Sequence, residues 1–592
     1  MDEKSKNIWK KSLPLPQLFL VWLGLTMAIM LIIVGIMMVV HQPLIESNGA
    51  IGVLILGTVG ATVFLAVWIF VRWLFCRRNR KRALFGLACL ATLIALFYAE
   101  EDWRGKHDWG KFKREWEAKG EHFDFASVVP PSVPDDQNFA LTPVVASCYD
   151  YILTRDGKKI PAEQRATNFV NRLDFNLGDV SWKTNATGYW AKQTTSNLKL
   201  WQEFYRDLAT KTNLFPVAPQ PQSPAADVLL ALSKYGATVE ELRQASRLSQ
   251  CRFPLNYDTE CPADILLPHL AAMKRCSQVL QLRAIAELQN GQSEKALADV
   301  KLTLRLTETF RSEPFLISHL VRIAMTEIIL QPIYEGLANH QWDDQQLVDL
   351  DAELVRLDYL ADYQFAMRSE RVFNAVIIDY LARGNRWQNY KMLMGNFAGD
   401  NDSDGGLVRK KLYAVGFWLM PDGWFEQNKL LIAKSQQAWI GNVIFPEKHL
   451  ASPSKYTEIG LAQDHLFQNA SRPWNFLSKE LLPALGAFAR KATREQISVD
   501  LARTAIALER CRLARGEFPE SLDALAPQFI AKVPHDVIGG QLLKYRRTND
   551  GQFVLYSVGW NEKDDGGVTG HRNGGTAPDF ESGDWVWRYP KP

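Results

Sequence analysis

Nothing in this sequence matches the short motifs that mark common enzymes. There is no GxSxG elbow, no P-loop and no GxGxxG turn, so the signatures of α/β-hydrolases, P-loop nucleotidases and dinucleotide enzymes are missing. Ten histidines are scattered along 592 residues, none in HExxH or a comparable pair at helical spacing, which argues against a zinc hydrolase. Seven cysteines include no CxxC pair, which argues against a tetrahedral zinc site. Charge of one sign is scarce as well, since 68 Lys and Arg meet 65 Asp and Glu for a net +3. That balance is too small to argue for nucleic acid as a partner.

Three smaller features read as structural. Cys251 and Cys261 flank a Pro-containing loop and could pair in an oxidising compartment, but buried free thiols are the favoured reading. Asp400-Asn401-Asp402-Ser403-Asp404-Gly405 opens like an EF-hand loop, yet Lys411 stands where a bidentate Glu belongs, so a solvated loop is expected. His319, inside LISHLVRIAM, reads as a core histidine with its hydrogen bonds satisfied.

What is present is an apolar excess in the first hundred residues, masked by a mean hydropathy of −0.16 for the whole chain. Gln17 to Val40 is uncharged and makes a helix of roughly 36 Å, enough for a bilayer core of about 30 Å. Ile51 to Phe75 is a second run, broken by Arg72 near its end, whose guanidinium can snorkel to the interface. Ala83 to Ala99 is a third, short for a span, with a buried or re-entrant helix as the alternative. Three transmembrane helices are therefore expected, over 17–40, 51–75 and 83–99. Lys4, Lys6, Lys10 and Lys11 precede the first, and Arg77, Arg78, Arg80, Lys81 and Arg82 separate the second from the third. The positive-inside rule then puts the N-terminus in the cytoplasm and everything after Ala99 outside an inner membrane. The lipid bilayer is the expected partner.

Residues 100–144 predict a charged juxtamembrane helix followed by a Pro-rich linker. Trp103, Trp109, Phe112 and Trp116 alternate with Lys and Arg, which fits a helix on the membrane surface or one packed on the following domain. Residues 145–490 predict an irregular extracytoplasmic α-helical bundle, with one clear helix pair turning at Asn290-Gly291. The fold class expected is mainly α, closed by a small α+β antiparallel-sheet module over 491–592. In that module a helix stops at Arg515-Gly516, and Gln541 to Arg547 and Gln552 to Val558 flank the turn Thr548-Asn549-Asp550-Gly551.

The order RLARGEFPESLDAL, KVPHD, GGQLLKYRR, FVLYSVG and NEKDDGG resembles the C-terminal part of major pseudopilins of type II secretion. That resemblance implies a helix before a small sheet, and an acidic loop that binds Ca²⁺ through Asp564 and Asp565, with Asp579 and Asp584 near the closing acidic-aromatic motif. The sequence departs from pseudopilins in lacking a prepilin peptidase site and in its three apolar runs. EDWRGKHDWGKFKREWEAKG, VPDDQNFALTP, EPFLISHLVRIAM and DGWFEQNKL further resemble a family of bacterial multi-span membrane proteins with no assigned activity. The expected function is a non-enzymatic, membrane-anchored scaffold or assembly protein with partners in the cell envelope, linked to a secretion or pilus-like system. The alternative is an envelope hydrolase built on dispersed carboxylates.

Overall fold

The computed structural model describes residues 77–149, 172–178, 186–397, 415–468, 485–572 and 578–590, with short stretches elsewhere. The chain divides into two compact units, Met1–Glu101 and Asp102–Pro592.

In the first unit, the expected spans over 17–40 and 51–75 lie almost wholly outside the described residues. Where described, residues 22–27 are helical, and the indole N–H of Trp22 donates to Thr62 Oγ1 at 3.1 Å. The third apolar run is carried by a helix, α1 (Arg77–Glu117). This helix begins within the basic run, so Arg77 to Arg82 form its first turns rather than a loop. Leu84, Phe85, Leu87, Leu90, Leu93 and Leu96 are all exposed on it. Among the described residues, two helices are long and apolar enough to cross a membrane, Leu84–Glu117 and Leu316–Ala338. The second is mostly buried. The described residues therefore carry one exposed apolar helix near the N-terminus, not the three expected.

The second unit is mainly helical. The later turns of α1 pack inside it through Trp109, Phe112 and Trp116, against Phe123, Leu430 and Ala433. Gly105 lies against Gly423 so closely that a Cβ would fall 2.2 Å from its carbonyl oxygen. The charged, aromatic stretch after residue 100 is thus a helix packed on its own domain. The Pro-rich segment that follows is pinned rather than free. Phe139 and Ala140 are fully buried, and Asn138 exchanges two hydrogen bonds with the Arg252 backbone, at 2.8 and 2.9 Å.

A small hairpin, β1 (Tyr151–Leu153) with β2 (Lys159–Pro161), leads to the helices. First come α2 (Leu198–Lys211), capped by Asn197, α3 (Pro224–Leu232), capped by Ser223 with Pro at N1, and α4 (Gly236–Ala245). Then α5 (Pro268–Gln289) and α6 (Ser293–Glu308) fold back on each other across Asn290-Gly291. The central helix α7 (Leu316–Ala338) packs against both, and against α9 (Tyr359–Ala382) and α13 (Leu485–Arg515). Helix α7 is mostly buried, and its apolar residues are spread around the helix rather than gathered in one stripe. Between them lie α8 (Asp344–Leu354), opened by an Asp343/Gln346 capping box, α10 (Arg386–Phe397), α11 (Asp422–Asn442) and α12 (Pro453–Gln468). A two-residue pair, β3 (Ile444–Phe445) with β4 (Leu450–Ala451), bridges α11 and α12.

Helix α13 stops before Gly516, which sits at φ +85° where a Cβ would be strained. Beyond it, β5 (Lys544–Arg547), β6 (Phe553–Ser557) and β9 (Trp585–Trp587) form an antiparallel sheet in the order β5-β6-β9. A second hairpin joins β7 (Thr569–His571) to β8 (Pro578–Gly583). The expected turn closes β5 on β6, with the Gly551 N–H bonded to Thr548 O at 3.1 Å. The sheet shares the helical core. Trp587 lies between Trp190 and Tyr334, at ring distances of 5.2 and 5.3 Å, and the Tyr334 hydroxyl donates to Arg588 O at 2.7 Å.

Candidate functional site

The strap, α5 and the bend between α6 and α7 bring together side chains far apart in sequence. Pro268 opens α5, which seats His269 in the first helical turn, where its ring is fully buried. Phe253 stacks on that ring at 3.9 Å and helps hold its plane. His269 Nε2 meets Glu313 Oε1 at 2.6 Å, and its Nδ1 meets the hydroxyl of Tyr149. The other Glu313 oxygen accepts from Ser318 Oγ. With a carboxylate on Nε2 and a phenol on Nδ1, the consistent neutral tautomer donates from Nε2 and accepts at Nδ1. The result is a line of hydrogen bonds from Tyr149 through His269 to Glu313.

The line opens on a cleft of about 360 Å³ lined by Tyr149, Pro254, Asn256, Thr259 and Asp264. A second cleft of about 550 Å³, lined by Phe125, Arg252, Tyr257 and Asp258, shares Leu255 and Asn256 with the first. Burial, and then the Glu313 charge, push the Cys251 thiol and the Tyr257 phenol up from their ordinary values. Cys251 therefore stays a thiol and is no nucleophile. Cys251 and Cys261 are both free. What the arrangement can do is move a proton. A buried carboxylate that holds a histidine can draw the proton of a phenol at the cleft wall.

His319 is buried, and its Nε2 donates to the Glu313 carbonyl at 2.9 Å. Burial and the neighbouring Arg322 lower its pKa to about 3, which keeps it neutral. A second buried set lies where α7 meets α13. Glu327 accepts from the Tyr189 hydroxyl and from Arg494 at 2.8 Å. Neighbouring Glu495 is fully buried, with neither oxygen hydrogen-bonded. Burial, with the Glu327 charge beside it, raises its pKa well above the ordinary range. Glu495 is a core carboxyl in tightly packed helices, away from either cleft lining.

The four carboxylates that pseudopilin likeness points to do not converge as a cation cage. Asp584 is fully buried and aims its oxygens at the N–H groups of Asp565, Gly567 and Val568, at 3.2, 2.6 and 3.3 Å. Asp564 accepts from Tyr556 and the Gly566 N–H and pairs with Lys544 at 3.3 Å. Asp565 accepts from Asn561 at 2.8 Å, and Asp579 serves its own turn through Glu581 and Ser582. Lone pairs turned toward N–H donors and an ammonium do not fit Ca²⁺, which needs six to eight oxygens. Among the described residues, no group of three or more His, Cys, Asp or Glu could hold a metal ion. The EF-hand-like loop at 400–411 lies outside the described residues.

No family model, curated protein or solved structure matches this chain. Sequence reading missed the Tyr149–His269–Glu313 line for a simple reason. Its members are 120 and 44 positions apart, so no spacing signals them. Pro268 before His269, at a helix start, was the one local cue to where the histidine would point.

Proposed function

We propose that this chain is a membrane-anchored scaffold or assembly protein whose helical unit lies outside the cytoplasm and contacts other envelope proteins. The observation that carries the anchor is the first part of α1. Its apolar side chains stay in the open, with Phe85 at 73% and Leu84 at 68% of full exposure. A row of that kind is stable in lipid or against another apolar surface. The basic run at its start supports a cytoplasmic N-terminus, and the apolar runs at 17–40 and 51–75 support a multi-span anchor. The helix-then-sheet order at the C-terminus supports the likeness to pseudopilin modules and a link to a secretion system.

Alkaline extraction and protease access test the anchor. The protein should stay with the membrane pellet, and the second unit should be cut in spheroplasts without lysis. Release by carbonate, or protection until lysis, defeats the reading. The scaffold role predicts a crosslinked envelope partner recovered in fixed stoichiometry from mild detergent, and its absence counts against that role.

A second reading rests on one geometric fact, the proton line ending at the cleft. An envelope hydrolase acting on peptide or glycan would use Tyr149 as the proton-transferring group, aligned through His269 by Glu313. Turnover by the full chain that disappears in Tyr149→Phe, with unchanged melting, would establish it. Equal turnover in both proteins would remove Tyr149 from the reaction.

A further inference from the structure

The larger of the two clefts, about 550 Å³, is built from the turn at Phe125 and the loop between α4 and α5. One wall is a run of packed rings. Tyr257 lies 6.2 Å from Phe315 with the planes 16° apart, Phe315 lies 5.0 Å from Phe373 at 9°, and Phe373 meets Phe125 at 5.5 Å. Phe315 and Phe373 are buried, and the rings at the two ends of the run, Tyr257 and Phe125, line the cleft. Each ring is held by the next, which gives the cleft a preformed apolar wall.

Arg252 supplies the charge. Asn138 fixes its backbone, accepting from its N–H at 2.9 Å and donating to its carbonyl at 2.8 Å. Its guanidinium carbon stands 5.6 Å from the Tyr257 ring centre, within cation–π reach. Its Nε is buried with no hydrogen-bond partner, and among the described residues no carboxylate pairs with it. By contrast, Arg283 holds Asp299, Arg322 holds Glu308 and Arg371 holds Glu121. A guanidinium partly out of water and unpaired favours an acceptor brought by a ligand. The acids nearby limit that ligand's charge. Asp258 shares the lining, and the Glu313 charge reaches the Tyr257 phenol while its oxygens are held by His269 and Ser318. Beside them one negative charge is tolerated better than two, and a planar carboxylate matches the guanidinium fork.

We propose that this cleft binds a singly charged carboxylate carried on an aromatic or large apolar body, with the carboxylate on Arg252 and the body against Phe125 and Tyr257. The C-terminal residue of a peptide presents such a group, and so does a free aryl-substituted acid. The site is independent of the membrane anchor and of the Tyr149 line, which opens on the other cleft.

Ligand-detected NMR titration of the full-length protein in dodecylmaltoside tests this. The probes are N-acetylphenylalanine, its neutral amide, phenyl phosphate and N-acetyl-Gly-Gly-Phe. The expected result is saturable binding of N-acetylphenylalanine, with the amide weaker by about tenfold or more and phenyl phosphate weaker as well. That comparison uses the native protein and so holds whether or not a variant folds. Arg252→Met, which keeps an apolar stem beside Tyr257, should abolish the difference between acid and amide. Equal affinity for acid and amide, tighter binding of phenyl phosphate, or no binding of any probe would each overturn the site. A preference for the acid that survives in Arg252→Met would put the carboxylate elsewhere and overturn it too. Tighter binding of N-acetyl-Gly-Gly-Phe than of N-acetylphenylalanine would support a peptide terminus as the source, and equal or weaker binding a free acid.

Discussion

The helical bulk and the C-terminal sheet module bury carboxylates in opposite ways. In the helices several buried acids meet a cation, although Glu495 has no hydrogen-bond partner and Glu335 accepts from Gln331 and the Ser196 N–H. Asp299 is fully buried between Arg283, at 2.5 and 2.7 Å, and Arg243, at 2.9 Å. Arg322 is paired with Glu308 and Asp362, and Arg371 with Glu121 at 2.7 Å. In the sheet module the buried acids meet backbone instead. Asp536 accepts from the N–H groups of Ile538 and Val558, at 2.9 and 3.1 Å, and from Ser557 Oγ at 2.8 Å. Asp584 does the same for the loop after Asn561. The cause is the backbone. Helical N–H groups are already bonded four residues back, so an acid among helices needs a side-chain donor. Tight Gly-rich turns leave N–H groups free, and a carboxylate gathers them. Burial still raises the Asp536 pKa to about 6 despite those bonds.

The largest test of this contrast is Glu121→Ala. It would leave the Arg371 guanidinium buried without its counter-charge, holding only Gln437 and the His122 carbonyl, and breaking such a pair typically costs about 3–5 kcal/mol. Chemical denaturation should show that loss. A Glu121→Ala/Arg371→Met double variant should recover most of it, because apolar residues then replace both charges together. Recovery in the single variant alone would mean that the pair contributes little.

Asp584→Ala should be milder. Three loop N–H groups lose their acceptor, and water can reach some of them, so about 2 kcal/mol is expected. The effect should be local, with faster amide hydrogen exchange at residues 565–568 and little change in the helices. The same variant sharpens the metal question. If Asp584 works as an anion for backbone donors, calcium should leave the melting temperature of the native protein unchanged. A calcium-dependent rise that vanishes in Asp564→Ala/Asp565→Ala would overturn this and restore a cation site.

The features legible in sequence were those written locally. The hairpin at Thr548 to Gly551, the helix stop at Gly516 and the α5–α6 turn at Asn290-Gly291 each depend on adjacent residues, and each is present. The EF-hand-like loop stays outside the described residues. What was not legible depends on who faces whom. An acidic Gly-rich loop reads alike whether its carboxylates meet a cation or N–H groups, so calcium entered only through the pseudopilin resemblance, with a solvated acidic turn as the alternative. Leu316 to Ala338 is apolar enough to span a membrane, and only packing shows it as a core helix. The basic run at Arg77 speaks of topology and says nothing of local conformation, and it proved helical. The Tyr149–His269–Glu313 line needed three distant elements to meet.

The smallest effect lies where the two modes meet. His449, in the turn between β3 and β4, contacts Asp500 of α13 through Nε2 at 2.8 Å. This is a helical-type pairing whose cation titrates. The hydrogen bond to Asp500 raises the His449 pKa above 6.5, against the opposing effect of burial, with Asp358 adding to the rise and Arg503 reducing it. Because the folded value is the higher, the contribution is fully present below about pH 6.5 and fades as pH rises through the folded pKa. The ring is 40% exposed, so solvent screening leaves roughly a few tenths of a kcal/mol. Melting at pH 6 and pH 9 should therefore differ slightly more in the native protein than in His449→Gln. The backbone-held Asp584 offers no such partner to deprotonate, so Asp584→Ala should leave the native difference between the two pH values intact. If that variant abolished the difference, the division between charge-paired helices and backbone-held loops would fail at its most sensitive point.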